Sequence, residues 1–212
     1  VGAHVLTMDY RGFGDSQCPP KAFTACPTEI GVYEDAFMVY EYLTKPIADG
    51  GLGIHSSCIV LHGHGLGSAV ASRLAVELSK KGKGPGGVIL EAPFTSAWNV
   101  LMTSSYSPLV YLPEIFTDII AAIFKPNLIP RFEQLKWIAD FSIPTLMLHG
   151  DNDRMVPPHM SSTLYKKRSE KTENTEFLAI PDASHHNVME DVAAKAKVKD
   201  FVTEVWSKGT TA

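Results

Sequence analysis

Three short segments of this sequence carry the residue types that acyl-transfer chemistry requires. They are 63–67, which reads Gly-His-Gly-Leu-Gly, 151–153, which holds two aspartates, and 184–186, which ends in two histidines. A nucleophile, a histidine that takes its proton and an aspartate that orients the histidine form the triad of serine hydrolases. The order nucleophile, acid, histidine is one in which such triads occur along a chain. We therefore take the three segments as one candidate site.

The first segment has the form of a nucleophile elbow without its nucleophile. In the pattern G-x-S-x-G, the glycines allow a sharp turn from a strand into a helix, and the central serine attacks the substrate. Gly63 and Gly67 hold the outer positions here, but Gly65 holds the central one. Glycine tolerates the backbone of such a turn and supplies no oxygen, so we expect the turn to persist and catalysis to be impaired. Ser68, one helical turn onward, is expected to lie away from the apex.

The same segment admits a second interpretation. Gly63, Gly65 and Ser68 approach the G-x-G-x-x-G or A fingerprint of dinucleotide-binding domains. Ser68 is an imperfect third position, and Glu91 follows later than the acidic residue that binds the ribose usually does. On this segment alone, a nucleotide-dependent oxidoreductase and a hydrolase both remain open.

The elements that must position these residues alternate between strand and helix. Short apolar runs bounded by turn residues predict five strands, at 4–9, 57–62, 87–92, 143–149 and 175–180. Segments of helical length lie between and after them, at 28–44, 66–80, 113–124, 158–168 and 187–206. Thr28 is the expected N-cap of the first helix. The alternation predicts an α/β domain over residues 1–212, with a mostly parallel sheet covered by helices on both faces.

Three motifs give the chain a resemblance to a known family. Segment 8–16 resembles the D-x-R-G-x-G-x-S loop of α/β-hydrolases, and 148–157 resembles the H-G-x-x-D-x-x-V-P loop that carries the triad acid. Segment 180–188 resembles the loop that delivers the catalytic histidine. The resemblance implies that Asp153, rather than Asp151, is the acid and that His185, rather than His186, is the base.

The resemblance also carries expectations for the first motif and for the oxyanion. In the motif at 8–16, Arg11 and Asp15 are expected to pair and to serve the fold. The backbone N–H of Leu66 would hold the oxyanion together with a second N–H from an earlier loop. The chain opens on a strand-like run without an initiator Met, so we expect a piece of a longer protein from which the first strands and that second loop are absent.

Within this fold, the chain is similar to the monoacylglycerol and lysophosphatidylserine lipase subfamily. The motif at 8–16, the Gly-His-x-Leu-Gly elbow and the run Leu-Glu-Ala-Pro-Phe-Thr-Ser at 90–96 carry this narrower resemblance. It implies a lipid ester as the substrate and no cofactor. It also implies an intracellular location, with association at the endoplasmic reticulum membrane in the full-length protein.

The long segment 94–141 departs from the short strand and helix rhythm and is rich in aromatic and aliphatic residues. An insertion of this length is expected to form a cap over the site, although packing against the core is the alternative. Its helix at 113–124 would present an apolar face to an acyl chain or make peripheral contact with a membrane. The alternative for that helix is a face turned toward the core.

Composition excludes several other classes. The net charge of −4 over 212 residues leaves no basic footprint for nucleic acid. A metal centre could be built from five histidines and two aspartates, namely His62, His64, His149, His185, His186, Asp151 and Asp153. The spacing His62-x-His64 lacks the further ligands of a recognised hydrolase site, so no metal is expected. Of the three cysteines, Cys58 is expected on a buried strand, and free thiols are favoured over a bridge between Cys18 and Cys26. The sequence makes no prediction of the oligomeric state.

Three functional hypotheses follow from the residues and the resemblance together. The first is a serine ester hydrolase by descent that Gly65 impairs. The second is a non-catalytic protein that binds an acyl ligand or a partner in the remaining pocket. The third is a dinucleotide-binding oxidoreductase, which rests only on Gly63, Gly65 and Ser68 and explains neither Asp153 nor His185.

Overall fold

A four-stranded parallel sheet forms the centre of the fold in the computed structural model, which describes residues 2–18, 27–112 and 131–209. The strands follow one another in space in their chain order, β1 (Val60–His64), β2 (Gly87–Glu91), β3 (Thr145–Gly150) and β4 (Thr175–Ile180). The register sets His64 beside Glu91 and Glu91 beside Leu148. Parallel strands have their carboxyl ends on one edge, so the loops after β1, β3 and β4 meet there.

Helices connect and flank the strands. The α-helices are α1 (Glu29–Thr44), α2 (Leu66–Lys80), α3 (Ala97–Thr103), α4 (Gln134–Trp137), α5 (His159–Ser169) and α6 (Val192–Gly209). Short 3-10 turns occur at Ile47–Asp49, Ser56–Cys58, Pro108–Tyr111 and Val188–Glu190. The side chain of Thr28 caps α1 by accepting the N–H of Gly31, as predicted. None of the helices in the described ranges combines the length and the apolarity that crossing a bilayer requires.

The alternation of side chains along the strands divides the core between the two faces of the sheet. On β2, Val88 and Leu90 pack with α2 and α5, whereas Ile89 packs with α6. On β3, Met147 joins the first group and Leu148 the second. The predicted α/β class, with helices on both faces of a parallel sheet, is therefore confirmed. Helix α1 adds a further layer, because its buried residues pack against α2.

The run at 4–9 is not a strand, which corrects the prediction of five strands. Val5 and Leu6 are 86% and 60% exposed, and none of the four strands pairs with this run. An apolar run becomes a strand only when a neighbour accepts and donates its backbone hydrogen bonds. The strand predicted at 57–62 begins instead at Val60.

Two expectations for the cysteines were wrong. Cys58 lies in the 3-10 turn before β1 as an exposed free thiol, not on a buried strand. Cys18 is disulfide-bonded. Cys26, the partner considered for it from the sequence, lies outside the described residues, as does the predicted helix at 113–124.

Arg11 serves the fold, as expected, but its partner is not Asp15. Its backbone N–H and guanidinium donate three hydrogen bonds of 2.6 to 2.9 Å to the carboxylate of Asp35 on α1. A further ion pair of 3.2 Å joins Arg11 to Glu34. The hydrogen bond to Asp35 raises the pKa of Arg11, and this contact ties the segment before α1 to that helix.

A buried arginine holds the end of α5 to the loop that leads into β3. Arg168 is fully buried, and its guanidinium donates to the carbonyls of Ile138, Phe141 and Ile143 at 2.7 to 2.8 Å and to Thr175 Oγ1 at 2.8 Å. Burial lowers the pKa of Arg168 to about 10. Without the guanidinium, the buried carbonyls of Ile138 and Phe141 would lose a hydrogen-bond donor, which is costly away from water.

Replacing Arg168 by Met should lower the free energy of unfolding by about 3 kcal/mol or more, because buried carbonyl oxygens would lose their donor. Urea denaturation at neutral pH measures this change. Lys166→Met, at an exposed position of the same helix, is the matched control and should change stability by less than about 0.5 kcal/mol. Equal midpoints for the two variants would contradict the role given to Arg168.

Candidate active site

The turn from β1 into α2 has the backbone of the predicted elbow. Gly65 has φ 50° and ψ −115°, a conformation that residues with a side chain rarely adopt. Gly63 is required by packing, since a Cβ there would lie 2.1 Å from the carbonyl oxygen of Gly67. Leu66 is the first residue of α2, so its N–H has no acceptor within the helix. The elbow therefore persists without a serine.

Asp153 and His185 meet at the same edge of the sheet. Asp153 lies in the loop after β3 and His185 in the loop after β4, and Nδ1 of His185 lies 2.7 Å from Oδ2 of Asp153. The carboxylate is fully buried and the imidazole is 9% exposed. Because a carboxylate accepts, Nδ1 carries the proton and Nε2 of the neutral imidazole is left as an acceptor. The pair has the geometry of the acid and base of a triad.

Three further donors hold the carboxylate of Asp153. Its Oδ1 accepts the backbone N–H groups of Met155 and Val156, each at 2.8 Å, and Nε2 of His149 lies 3.2 Å from Oδ2. Burial alone would raise the pKa of Asp153, but the hydrogen bonds from His149, His185 and Val156 outweigh it and keep that pKa well below its usual range. Asp153 is thus a stable anion beneath the imidazole.

The free nitrogen of His185 faces the apex of the elbow. A Cβ built on Gly65 would lie 3.2 Å from Nε2 of His185 and 3.5 Å from its Cε1. A hydroxyl carried by that Cβ would be within reach of Nε2, which is the relation between nucleophile and base that acyl transfer needs. The structure thus brings together positions 65, 153 and 185, and their catalytic roles stay predictions.

A cavity of about 270 Å³ opens beside His185. The loop after α3 forms part of its wall, because the N–H of Ser105 donates to the carbonyl of Arg154 at 3.0 Å and Tyr106 lines the space. The described part of the 94–141 insertion therefore reaches the site. The lining is rich in donors and holds no carboxylate; it consists of Tyr106, Asn152, Arg154, Met155, Ser184, His185 and His186.

The other residues considered from the sequence have structural contacts. Ser68 is fully buried, and its hydroxyl donates to the carbonyl of Gly65 at 2.6 Å. Glu91, on which the dinucleotide interpretation also depends, lies 3.2 Å from Nε2 of His62. His62, the last residue of the strand predicted at 57–62, is 41% exposed at its side chain. Asp151 is exposed and accepts the N–H of Asp182 at 2.7 Å.

Sequence reasoning missed the role of His149. It is fully buried, and its Nε2 also lies 2.9 Å from the carbonyl of Val156, so it fixes the loop that carries Asp153. The sequence does place His149 at the end of a predicted strand, two residues before the first aspartate of the loop, and this position could have indicated a contact with that loop. Arg154 and Tyr106 were missed as well, because only the tertiary structure brings the insertion against the loop after β3.

Comparison with known proteins supports the architecture seen here. The sequence model of a protein family described as "alpha/beta hydrolase fold" matches residues 111–192 of this chain. An alpha-beta hydrolase from Vibrio vulnificus superimposes with a TM-score of 0.65 at 20% identity, covering 93% of this chain and 61% of that one. The chain therefore has the α/β-hydrolase fold, as the motifs predicted.

Two relatives have greater sequence similarity. The chain is 35% identical to human protein ABHD12B, over 97% of its own length and 54% of the relative. It is 32% identical to the lysophosphatidylserine lipase ABHD12 of Danio rerio, over 78% of its own length and 39% of the relative. The chain thus spans about half, or less, of the length of these proteins.

Replacing Asp153 by Asn should destabilise the protein by about 1–3 kcal/mol, since an amide NH₂ would face donors that the carboxylate now satisfies. The midpoint of chemical denaturation reports this loss. Asp151→Asn is the matched control: its amide oxygen can still accept the N–H of Asp182, and we expect less than about 0.5 kcal/mol. An Asp153→Asn variant as stable as the control would refute the donor arrangement described above.

Proposed function

Because the chain has the α/β-hydrolase fold and resembles lysophosphatidylserine lipases, we propose that it is a lipid-ester hydrolase scaffold whose catalysis Gly65 impairs. One observation carries the proposal: the pair of Asp153 and His185 is assembled, with Nε2 of His185 aimed at the apex of the elbow. A buried anion that orients an imidazole toward an elbow without an oxygen is the triad arrangement lacking only its nucleophile.

The mechanism that this geometry would support is acyl transfer to a serine at position 65. Nε2 of His185 would take the hydroxyl proton, and Asp153 would stabilise the imidazolium through Nδ1. The N–H of Leu66 would donate to the oxyanion. With glycine in place, each of these groups remains and the covalent step has no nucleophile, so turnover should fall by several orders of magnitude.

A second candidate function is the non-catalytic binding of an acyl ligand. The glycine favours it, because loss of the nucleophile leaves the cavity beside His185 and its polar lining intact. Ligand binding requires the cavity alone, whereas hydrolysis also requires the missing oxygen. The two functions are distinguished by whether a bound ester is recovered uncleaved.

We further propose that the ligand carries an anionic head group. Arg154 lines the cavity and pairs with no carboxylate in the described part of the chain. Tyr106, Asn152 and Ser184 add polar groups to the same wall. Such a lining suits a phosphate or carboxylate better than a neutral glycerol. A lysophospholipid, the class named for the relative ABHD12, fits this charge.

Gly65→Ser should give the chain a nucleophile that reacts with a fluorophosphonate probe, whereas the unchanged chain should remain unlabelled. The serine would have to adopt a φ of 50°, so a loss of stability of about 1–3 kcal/mol is expected with it. Labelling is read by gel fluorescence and assigned to position 65 by peptide mass spectrometry.

Gly65→Ala is the control for strain, since it adds the Cβ without the oxygen. It should fold like the serine variant and stay unlabelled, as should Gly65→Ser combined with His185→Gln. A folded Gly65→Ser chain that resists the probe, or labelling of the unchanged chain, would count against the proposal.

Arg154→Gln should weaken binding of a lysophosphatidylserine about fivefold or more and leave binding of the monoacylglycerol with the same acyl chain nearly unchanged. Calorimetric titration below the critical micelle concentration compares the two ligands. Lys199→Gln, which removes an equal charge from an exposed position on α6, is the matched control. Equal losses for both ligands in Arg154→Gln would exclude head-group recognition by this residue.

A further inference from the structure

Three imidazoles converge at the apex of the elbow. His64 ends β1, and His185 and His186 follow each other in the loop after β4. One potential ligand nitrogen from each lies within 4.8 Å of those of the other two. The rings of His64 and His185 are 4.5 Å apart, and those of His185 and His186 are 5.0 Å apart. His64 and His185 are 121 positions apart in the chain, and the sequence alone could not show which of the seven histidines and aspartates considered as metal ligands would meet.

Hydrogen bonds set which nitrogen of two of these rings is free. Nδ1 of His185 donates to Asp153 at 2.7 Å, which leaves Nε2 unprotonated in the neutral ring. Nε2 of His64 lies 2.8 Å from the carbonyl oxygen of His185, which can only accept, so Nδ1 of His64 is left free. A carboxylate or carbonyl on the second nitrogen is the arrangement that orients histidine ligands around a metal ion.

We propose that His64, His185 and His186 form a binding site for a zinc-class divalent cation beside Gly65. Three neutral imidazoles with a fourth position open to solvent are a ligand set that suits Zn²⁺, whereas Mg²⁺ and Ca²⁺ require oxygen ligands. This proposal departs from the expectation of no metal, which covered these three histidines among others and rested on the short spacing of His62 and His64.

Binding of one ion requires the three ligand nitrogens to move closer together. Zinc binds imidazole nitrogen at about 2.0–2.1 Å, so two ligand nitrogens around one ion lie no further apart than about 4.2 Å. Nitrogens up to 4.8 Å apart must therefore approach one another on binding, and His64 and His186 are both exposed, so their side chains have room to move. Gly65 leaves space at the apex, since among the described residues only His185 would lie within 4 Å of a Cβ there. Arg154 lines the neighbouring cavity, but it is exposed, so solvent screens its charge.

This site has a consequence for the proposed function but does not depend on it. The nitrogen of His185 that would hold the cation is the one that would take a proton from a serine at position 65. Bound Zn²⁺ should therefore exclude general-base catalysis, and the two uses of His185 compete.

Zinc titration of the unchanged chain, which carries Gly65, tests the proposal without any measurement of hydrolysis. Calorimetry and equilibrium dialysis with metal analysis should show one Zn²⁺ per chain with micromolar or tighter affinity. His186→Ala and His64→Gln should each weaken binding at least tenfold. Co²⁺ in the same site should give the visible absorption of a four-coordinate ion and lose it in both variants.

His159→Ala is the matched control, because His159 is exposed at the start of α5 and lies outside the cluster. Its affinity for Zn²⁺ should equal that of the unchanged chain. Circular dichroism and thermal unfolding establish that each variant is folded, and His186→Ala, at an exposed position, is the one that decides the result if His64→Gln is unstable. Binding only at millimolar Zn²⁺, or binding that folded His186→Ala retains in full, would overturn the proposal.

Discussion

The buried negative charge of Asp153 is the constraint on which the site depends. A carboxylate removed from water must be matched by donors, and here two backbone N–H groups and two imidazoles provide them. Meeting that requirement fixes the loop after β3, the position of His149 and the orientation of His185 together. The position of the imidazole beside Gly65 is therefore fixed by the contacts of Asp153. A nucleophile at position 65 is not needed to hold the imidazole there.

The parallel sheet brings the loop that holds Asp153 together with the other loops of the site. Because β1, β3 and β4 run parallel, the elbow and the loops that carry Asp153 and His185 leave from one edge of the sheet. The core on each face keeps the strands in register, and Arg168 anchors the loop that leads into β3 to α5. The insertion after β2 then adds one wall of the cavity through its contact with Arg154. Charge and access at the site are thus set by residues far apart in the chain.

What the sequence could predict was local or carried by motifs. Helix α2 at 66–80 and strand β4 at 175–180 were predicted with their observed bounds, since periodicity and flanking turn residues mark both. The two residues expected as acid and base lie in contact. The prediction that Arg11 pairs with Asp15 was wrong. The observed partner, Asp35, lies 24 residues from Arg11, and the sequence around Arg11 does not indicate a contact that distant. The strand predicted at 4–9 was wrong because a strand needs a neighbouring strand to pair with, and the amino-acid composition of a run does not show whether one is present.

The positive φ at Gly65 has a consequence for the history of this position. Glycine adopts the backbone at position 65 without a steric penalty, whereas a residue with a side chain would adopt it only under strain. An exchange of serine for glycine would relieve strain and leave the scaffold unchanged, which would make the loss of the nucleophile tolerable to folding. Replacement of glycine by serine would place a hydroxyl in the same scaffold, in which Asp153 and His185 are still in contact. Position 65 is thus one where a nucleophile could be lost without rebuilding the fold, whereas its return would carry the cost of a side chain at a positive φ.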